Sequence, residues 1–384
     1  MSSSDAAAAL LAWLTVAAAC GLDRWIGDPA GWLHPVQVMG WWITGLRRCA
    51  EAWAGDRPWR LRLAGAGLTA LLVGGSAGAG WLLEALAWRQ PALGLPLLWL
   101  GLTSCLAGAS LEQAVRAAVA PLRRDPAEAL PSAGALPTAE ALAEARARLA
   151  WIVGRDVDQL DEAGILRAAA ETAAENSVDG LFAPLFWLLV GAGLWVAAGL
   201  MPPAAGLPFS ADGLTGPVQA LAHGLSPVPG PLALGWAFKA SSTLDSMLGY
   251  RRGRLRWLGT AGAGLDDLLT WLPCRLVALT LPLLQAGRWQ AVAQLRLALR
   301  EGRPDPSPNA GVSQAAFAAA AHLCLGGANH YGGVRIDKPV LGAGWPAADQ
   351  AGVERLLRLS RQLELLWLLV ALPLLLLIAG LRTR

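Results

Sequence analysis

From Arg167 to Leu200 the chain reads RAAAETAAENSVDGLFAPLFWLLVGAGLWVAAGL, an alanine-rich run carrying carboxylates that passes directly into a stretch without a single charge. Alanine favours helix. In a helix Glu171, Glu175 and Asp179 fall at i, i+4 and i+8 and line one face. Like charges at that spacing repel by about 0.2–0.5 kcal/mol per pair, a cost removed if a cation sits among them or one carboxyl keeps its proton. Carboxylates beside the amide of Asn176 suit a hard ion, so magnesium is the expectation. An isolated acidic helix face is most often just solvated. Here the continuation through Gly180 into an apolar segment of membrane length argues for a functional role.

The rest of the composition agrees with that apolar segment. Of 384 residues 55% are hydrophobic and only 15% charged, with a mean hydropathy of +0.43, which is too few charges for an ordinary soluble globule of this length. The expected fold is all-α, a polytopic membrane bundle. Its candidate spans are Ala6–Leu22, Leu63–Leu83, Ala92–Leu111, Leu181–Pro203, Leu268–Ala286 and Leu365–Leu381, several of them near the roughly 20 residues that cross a hydrocarbon core. A seventh apolar region, Pro217–Phe238, is interrupted by proline and glycine and reads as re-entrant or partial. The first span carries Asp5 and no basic residue before its apolar core, so it reads as an uncleaved helix rather than a signal peptide. Cys20, Cys49, Cys105, Cys274 and Cys324 are scattered, odd in number and without a CxxC pair, which argues against a disulfide framework or a zinc site.

The polar segments are 23–62, 112–179, 239–267 and 288–364. All are rich in arginine, and the positive-inside bias places them in the cytoplasm, so one apolar segment must fail to cross in the ordinary way. The whole chain, 1–384, reads as one membrane domain with 112–179 as a cytoplasmic helical insertion. Within it, 125–137 is a linker and Thr138 opens TAEALAEARARLAWIVG as a capped helix. Arg288–Arg300 reads as a basic amphipathic helix on the membrane surface. The net charge of +3 is small, and flanks rich in Trp and Arg suit lipid headgroups rather than nucleic acid.

Several polar constellations could carry chemistry. GWAFKASSTLDSMLGYRR places Lys239, Ser241, Ser242, Thr243 and Asp245 beyond an apolar stretch, and Lys239 is one of only two lysines in the chain. An ammonium is a compact donor for phosphate, although a snorkelling lysine is the plain alternative. Arg251, Arg252, Arg254 and Arg256 read mainly as headgroup contacts. Asp266 and Asp267 meet the membrane boundary together. Successive helical residues point about 100° apart, so one of the pair is expected at a site and the other at the helix dipole. Arg275, inside the apolar stretch, should face the bundle and a carboxylate partner. GDPAGWLHPVQVMG holds Asp28 and His34, IVGRD holds Arg155 and Asp156, and PSPNAG puts Asn309 before a helix whose free N–H groups could bind an anion. No GxxxxGK[ST] loop occurs.

Taken in order, GDP with HPV and MG, IVGRD, ETAAENSVDG with APLFW, FKASSTLDSMLGY, LDD, PSPNAG and LGGANHYGG resemble the membrane proteins of the CobD/CbiB family of cobalamin biosynthesis, over about Leu22 to Gly344. The resemblance implies an adenosylcobinamide-phosphate synthase. Such an enzyme joins the carboxylate of adenosylcobyric acid to the amine of aminopropanol phosphate, or threonine phosphate, with ATP and magnesium, at the cytoplasmic face of a bacterial inner membrane. It implies Glu171, Glu175, Asp179, Asp266 and Asp267 around magnesium, with Glu171, Glu175, Lys239 and Asp245 catalytic. Asp28, His34, Arg155, Asp156, Asn176, Thr243, Tyr250, Arg275 and Asn309 would contact substrate. The expected partners are the corrinoid, the amine phosphate and lipid, with a complex of later cobalamin enzymes also implied. Phe238, Ser241, Ser242 and Thr270 depart from the tyrosine, isoleucine, asparagine and asparagine expected there. Two alternatives compete. A transporter could use the intramembrane carboxylates, and a magnesium-dependent prenyltransferase could use the acids to hold a diphosphate, although Asp266 and Asp267 lack the i, i+4 spacing that chemistry favours.

Overall fold

A computed structural model describes residues 2–28, 31–123, 137–200, 228–285 and 288–382. Its helices in chain order are α1 (Ser3–Ile26), α2 (Pro35–Ala54), α3 (Pro58–Arg89), α4 (Pro91–Thr103), α5 (Gly108–Val119), α6 (Ala139–Leu149) and α7 (Glu162–Ser177). They continue with α8 (Ala183–Ala197), α9 (Pro231–Leu248), α10 (Thr260–Thr280), α11 (Arg288–Gly302), α12 (Ala310–Ala321) and α13 (Gln350–Arg382). Two strands, β1 (Leu325–Tyr331) and β2 (Val334–Leu341), pair antiparallel.

Five helical stretches are long and apolar enough to cross a membrane: Ser3–Ile26, Pro58–Arg89, Glu162–Ala197, Thr260–Leu284 and Gln350–Arg382. A sixth candidate is broken, Pro91–Thr103 with Gly108–Leu122, bent by 42°. Each of the six apolar stretches expected from sequence therefore has a helical counterpart, and the chain is a polytopic helical membrane protein. The helices outrun their apolar segments because propensity and packing, not hydropathy, end them. α13 begins at Gln350, well before Leu365, and Glu354 in its early turns meets Arg116 at 3.0 Å and Arg123 at 2.7 Å. The first half of Pro217–Phe238, and nearly all of the 125–137 linker, lie outside the described residues, and the rest of Pro217–Phe238 leads into α9. None of the five cysteines forms a disulfide.

The chain divides into two compact units: 1–107 with 183–269 and 366–384, and 108–182 with 270–365. The polar run 112–179 thus shares its unit with a second, C-terminal stretch.

In the first unit α2, α3 and α9 bury Met39, Ile43, Leu68, Leu72, Ala240, Leu244 and Leu248 together. Small residues allow the backbones to approach, as in membrane helix packing generally. A Cβ on Gly80 of α3 would lie 2.8 Å from the Leu232 carbonyl oxygen of α9. In the second unit α12 is buried almost all round, the pattern of a central core helix. It packs with α7 and α11, and α11 is the helix expected from the basic run.

Two local features depart from expectation. First, α7 ends at Ser177 and Val178–Phe182 forms a π-turn. Its i→i+5 spacing adds a residue to the turn and rotates the helix beyond it, so Asp179 does not simply extend the Glu171–Glu175 face. Second, an all-α expectation omitted the β1–β2 hairpin. Gly332 and Gly333 form its turn with φ of 58° and 78°, the positive values a two-residue hairpin turn requires.

Candidate functional site

In the first unit, α9 and α10 bring one lysine toward three aspartates. Asp266 lies within electrostatic reach of Asp245, Asp267 and Lys239. Its Oδ1 is shielded from solvent and accepts no hydrogen bond among the described residues. Burial, and then the neighbouring Asp267 carboxylate, hold the Asp245 carboxyl above the ordinary carboxylate range. Asp267 thus acts on Asp245, and Asp245 and Asp267 both act on Asp266. Lys239 also reaches His34 electrostatically.

The hydroxyls of α9 are less available than the sequence implied. Thr243 Oγ1 donates to the Lys239 carbonyl at 2.6 Å and Ser246 Oγ to that of Ser242 at 2.9 Å, the back-bonding typical of hydroxyls inside helices. Ser241 is fully buried. His34 caps α2: its Nδ1 accepts the Val36 N–H at 3.2 Å, while Nε2 stands 3.6 Å from Asp28 Oδ1. Its pKa is lowered, by burial first and by Lys239, against the opposing pull of Asp28. Tyr250 is exposed, with the Arg252 guanidinium 4.9 Å over its ring.

In the second unit Glu171 of the acidic face is 1% exposed, while Glu175 and Asp179 are partly exposed. Its carboxylate meets Arg155 Nη2 at 2.5 Å and accepts the Gly326 N–H at 2.7 Å. Arg155 donates onward to Asn329 Oδ1 at 2.8 Å, and Arg167 donates to the carbonyls of Gly326 and Ala328, each at 2.9 Å. Asp156 accepts the N–H groups of Gly332 and Gly333 at 2.9 and 2.7 Å, and its own N–H donates to His330 O. These two backbone bonds hold the Asp156 carboxyl below its ordinary value. Arg155, Asp156, Arg167 and Glu171 thus fasten the hairpin, and the repulsion that suggested a cation near Glu171 is relieved by the protein's own arginines.

Glu175, one turn on, accepts from Gln314 Nε2 at 2.7 Å. Lys338 of β2 stands 3.2 Å from Asp305 Oδ2. Burial alone would depress the Lys338 ammonium, but Asp305, Tyr331 and Glu175 together outweigh it and hold its pKa above the usual lysine value. Asn176 Nδ2 donates to Thr172 Oγ1 at 2.7 Å. Arg275 donates to the Asn309 side-chain oxygen and, at 2.7 and 3.2 Å, to the Pro308 and Trp271 carbonyls, with its guanidinium 4.8 Å over the Trp271 ring. Amide oxygens and an indole are among the groups that meet it. Asn309 does begin α12, but as an acceptor for Arg275, and its side chain makes no cap bond.

Lys338, Asp305, Gln314 and Asn329 went unnoticed in the sequence. Lys338 is the other of the two lysines, and the Gly332–Gly333 turn would have placed it on a strand.

Among the described residues, no three Asp, Glu, His or Cys side chains converge as a closed metal cage. Magnesium seldom requires one. It commonly takes one or two carboxylates and completes its sphere with water and substrate phosphate. Asp266 and Asp267, with an unpartnered buried oxygen on Asp266, fit that mode. Glu171, already engaged by Arg155 and Gly326, fits it less well.

Comparison with known proteins agrees with these motifs. Residues 16–360 match the family described as CobD/Cbib protein. The chain is 37% identical over 368 residues to the cobalamin biosynthesis protein CobD of Synechocystis sp., covering 96% of this chain and 93% of that one. It is 36% identical over 378 residues to the cobalamin biosynthesis protein CbiB of Salmonella typhimurium, covering 97% of each. With CobD of Yersinia enterocolitica it shares 35% over 355 residues, 91% of this chain and 93% of the relative. No solved structure matches it. The chain belongs to the CobD/CbiB family of cobalamin biosynthesis proteins.

Proposed function

We propose that the chain is an ATP-dependent ligase that closes an amide between the carboxylate of adenosylcobyric acid and the amine of aminopropanol phosphate or threonine phosphate, at the cytoplasmic face of the inner membrane. The observation that carries this reading is the lysine set among three aspartates in a family of cobalamin biosynthesis. A carboxylate cannot expel oxide, so it must first be activated by phosphoryl or adenylyl transfer, and cationic groups must hold the transferred phosphate. Lys239 is the point charge suited to that phosphate. As the amine attacks the activated carbonyl, the C–N bond forms, phosphate or AMP departs, and the nitrogen loses a proton. The raised pKa of Asp245 supports it as the acceptor of that proton. Magnesium held by Asp266 and Asp267 would supply charge neutralisation on the phosphates. Glu171, Arg155 and Asp156 act through the hairpin they fasten, and Glu175 lies beside Lys338. Membrane residence suggests an assembly with later enzymes of the pathway.

Incubating purified protein with adenosylcobyric acid, aminopropanol phosphate, ATP and magnesium, followed by mass spectrometry, tests this. An adenosylcobinamide phosphate mass is expected. Substrate flux into sealed vesicles without any covalent product would replace the ligase with a transporter.

A further inference from the structure

The N-terminus of α9 lies against a span, and its first amides have no partner in their own helix. The first helical residue is Pro231, which has no N–H, and the first intrahelical bond is Leu234 N–H to Gly230 O at 3.2 Å. That leaves the N–H groups of Gly230, Leu232 and Ala233, which a helix normally satisfies with an N-cap side chain. Position 230 cannot supply one, because a Cβ there would run into the Trp195 indole. Glu84, the only acid of α3 and fully buried, supplies the cap from outside. Its Oε2 accepts from Gly230 at 2.9 Å and its Oε1 from Leu232 at 2.7 Å and Ala233 at 3.1 Å. All three leftover donors are thereby met by one carboxyl group.

We infer that Glu84 is a positioning residue: by capping α9 from the neighbouring span it fixes where Lys239 and Asp245 stand. The inference rests on the proposed function only for its consequence in turnover. A helix rises about 1.5 Å per residue, so Lys239 lies about 12 Å and Asp245 about 21 Å along α9 from Pro231. A swing of about 5° at the cap displaces them by roughly 1 and 2 Å, and a misplacement of about 1 Å can cost on the order of 10²-fold in rate. The close approach of Gly80 to the same turn keeps the carboxyl within reach.

The test uses Glu84→Gln, which keeps the shape but turns an NH2 donor toward one backbone donor, and Glu84→Ala, which removes every acceptor. Amide exchange in purified protein should rise about tenfold at Gly230, Leu232 and Ala233 in Glu84→Gln, equivalent to about 1.4 kcal/mol of local stability. Labelling of lysines by an amine-reactive reagent, read by mass spectrometry, has an internal control because the chain holds only Lys239 and Lys338. The Lys239 to Lys338 labelling ratio should shift at least about threefold, whereas general destabilisation moves both sites. Turnover should fall on the order of 10²-fold. An unchanged ratio with unchanged exchange would overturn the inference. So would wild-type protein whose Leu232 and Ala233 amides exchange as fast as free ones, a result that needs no variant to fold. If the wild type makes no amide product while the exchange and labelling shifts appear, the proposed function fails and the cap stands.

Discussion

Replacing Glu171 with Gln should loosen the β1–β2 hairpin before it affects anything else. The side chains of Glu171 and Arg155 are 1% and 8% exposed and meet at 2.5 Å. Glutamine keeps the volume and an acceptor for the Gly326 N–H, so only the charge changes, and the Arg155 guanidinium is left buried beside a neutral amide. Removing one member of a buried pair costs about 3–5 kcal/mol, chiefly because the survivor is uncompensated. A two-stranded hairpin has little stability of its own, so the loss should appear there. At about 1.4 kcal/mol per factor of ten, the lower bound predicts a rise on the order of 10²-fold in amide exchange across residues 326–341, read by mass spectrometry on protein in nanodiscs. Arg155→Met should give a comparable rise. The double variant should lose less than the sum of the two, since neither charge is then stranded. Hairpin exchange within about threefold of wild type in Glu171→Gln, or strict additivity, would refute the reasoning and return Glu171 to the magnesium role its spacing first suggested.

The same geometry sets three further outcomes. Lys239→Arg keeps charge and reach but broadens the head, so turnover should fall on the order of 10²-fold; wild-type kinetics for ATP and amine phosphate would reduce the lysine to a lipid anchor. The raised pKa of Asp245 should set the acid limb of the kcat/KM profile above the ordinary 3.8, and Asp267→Asn should move that limb toward lower pH by removing one of its two causes; a limb unmoved by the substitution assigns the proton to another group. Asp156 has a folded pKa below 3.8, so its stabilisation is complete above that value and is lost as pH falls through the lowered one; hairpin exchange should rise with acid in the wild type and lose that dependence in Asp156→Asn.

The spans were legible because a bilayer imposes a length on apolar runs, and Leu181–Pro203 or Leu365–Leu381 satisfies it without any tertiary information. Thr138 was legible for a local reason: its Oγ1 accepts from Ala141 N–H at 3.2 Å, as a capping threonine should. The fate of the acidic face was not. The i, i+4 pattern correctly put Glu171 and Glu175 on α7, but their charged and hydrogen-bonding partners come from Arg155 in the preceding loop and from Gln314 and Lys338 far along the chain. Spacing within one helix cannot reveal partners brought by another element. The π-turn at Asp179 has no compositional mark either. Glu84 did leave a signal: one acid in an otherwise apolar span is costly and needs a reason. The hairpin left another in Gly332–Gly333, overlooked beside the helical bulk.

Isotope transfer from the corrinoid acid examines the proposed ligase most directly. If the carboxylate is activated by ATP, an ¹⁸O label in that carboxylate must leave with the phosphate when the amide forms. One label should therefore appear in inorganic phosphate for an acyl phosphate, or in AMP for an acyl adenylate, matched one for one with adenosylcobinamide phosphate. ATP turnover with no label in either product, or amide formed without ATP, would contradict it.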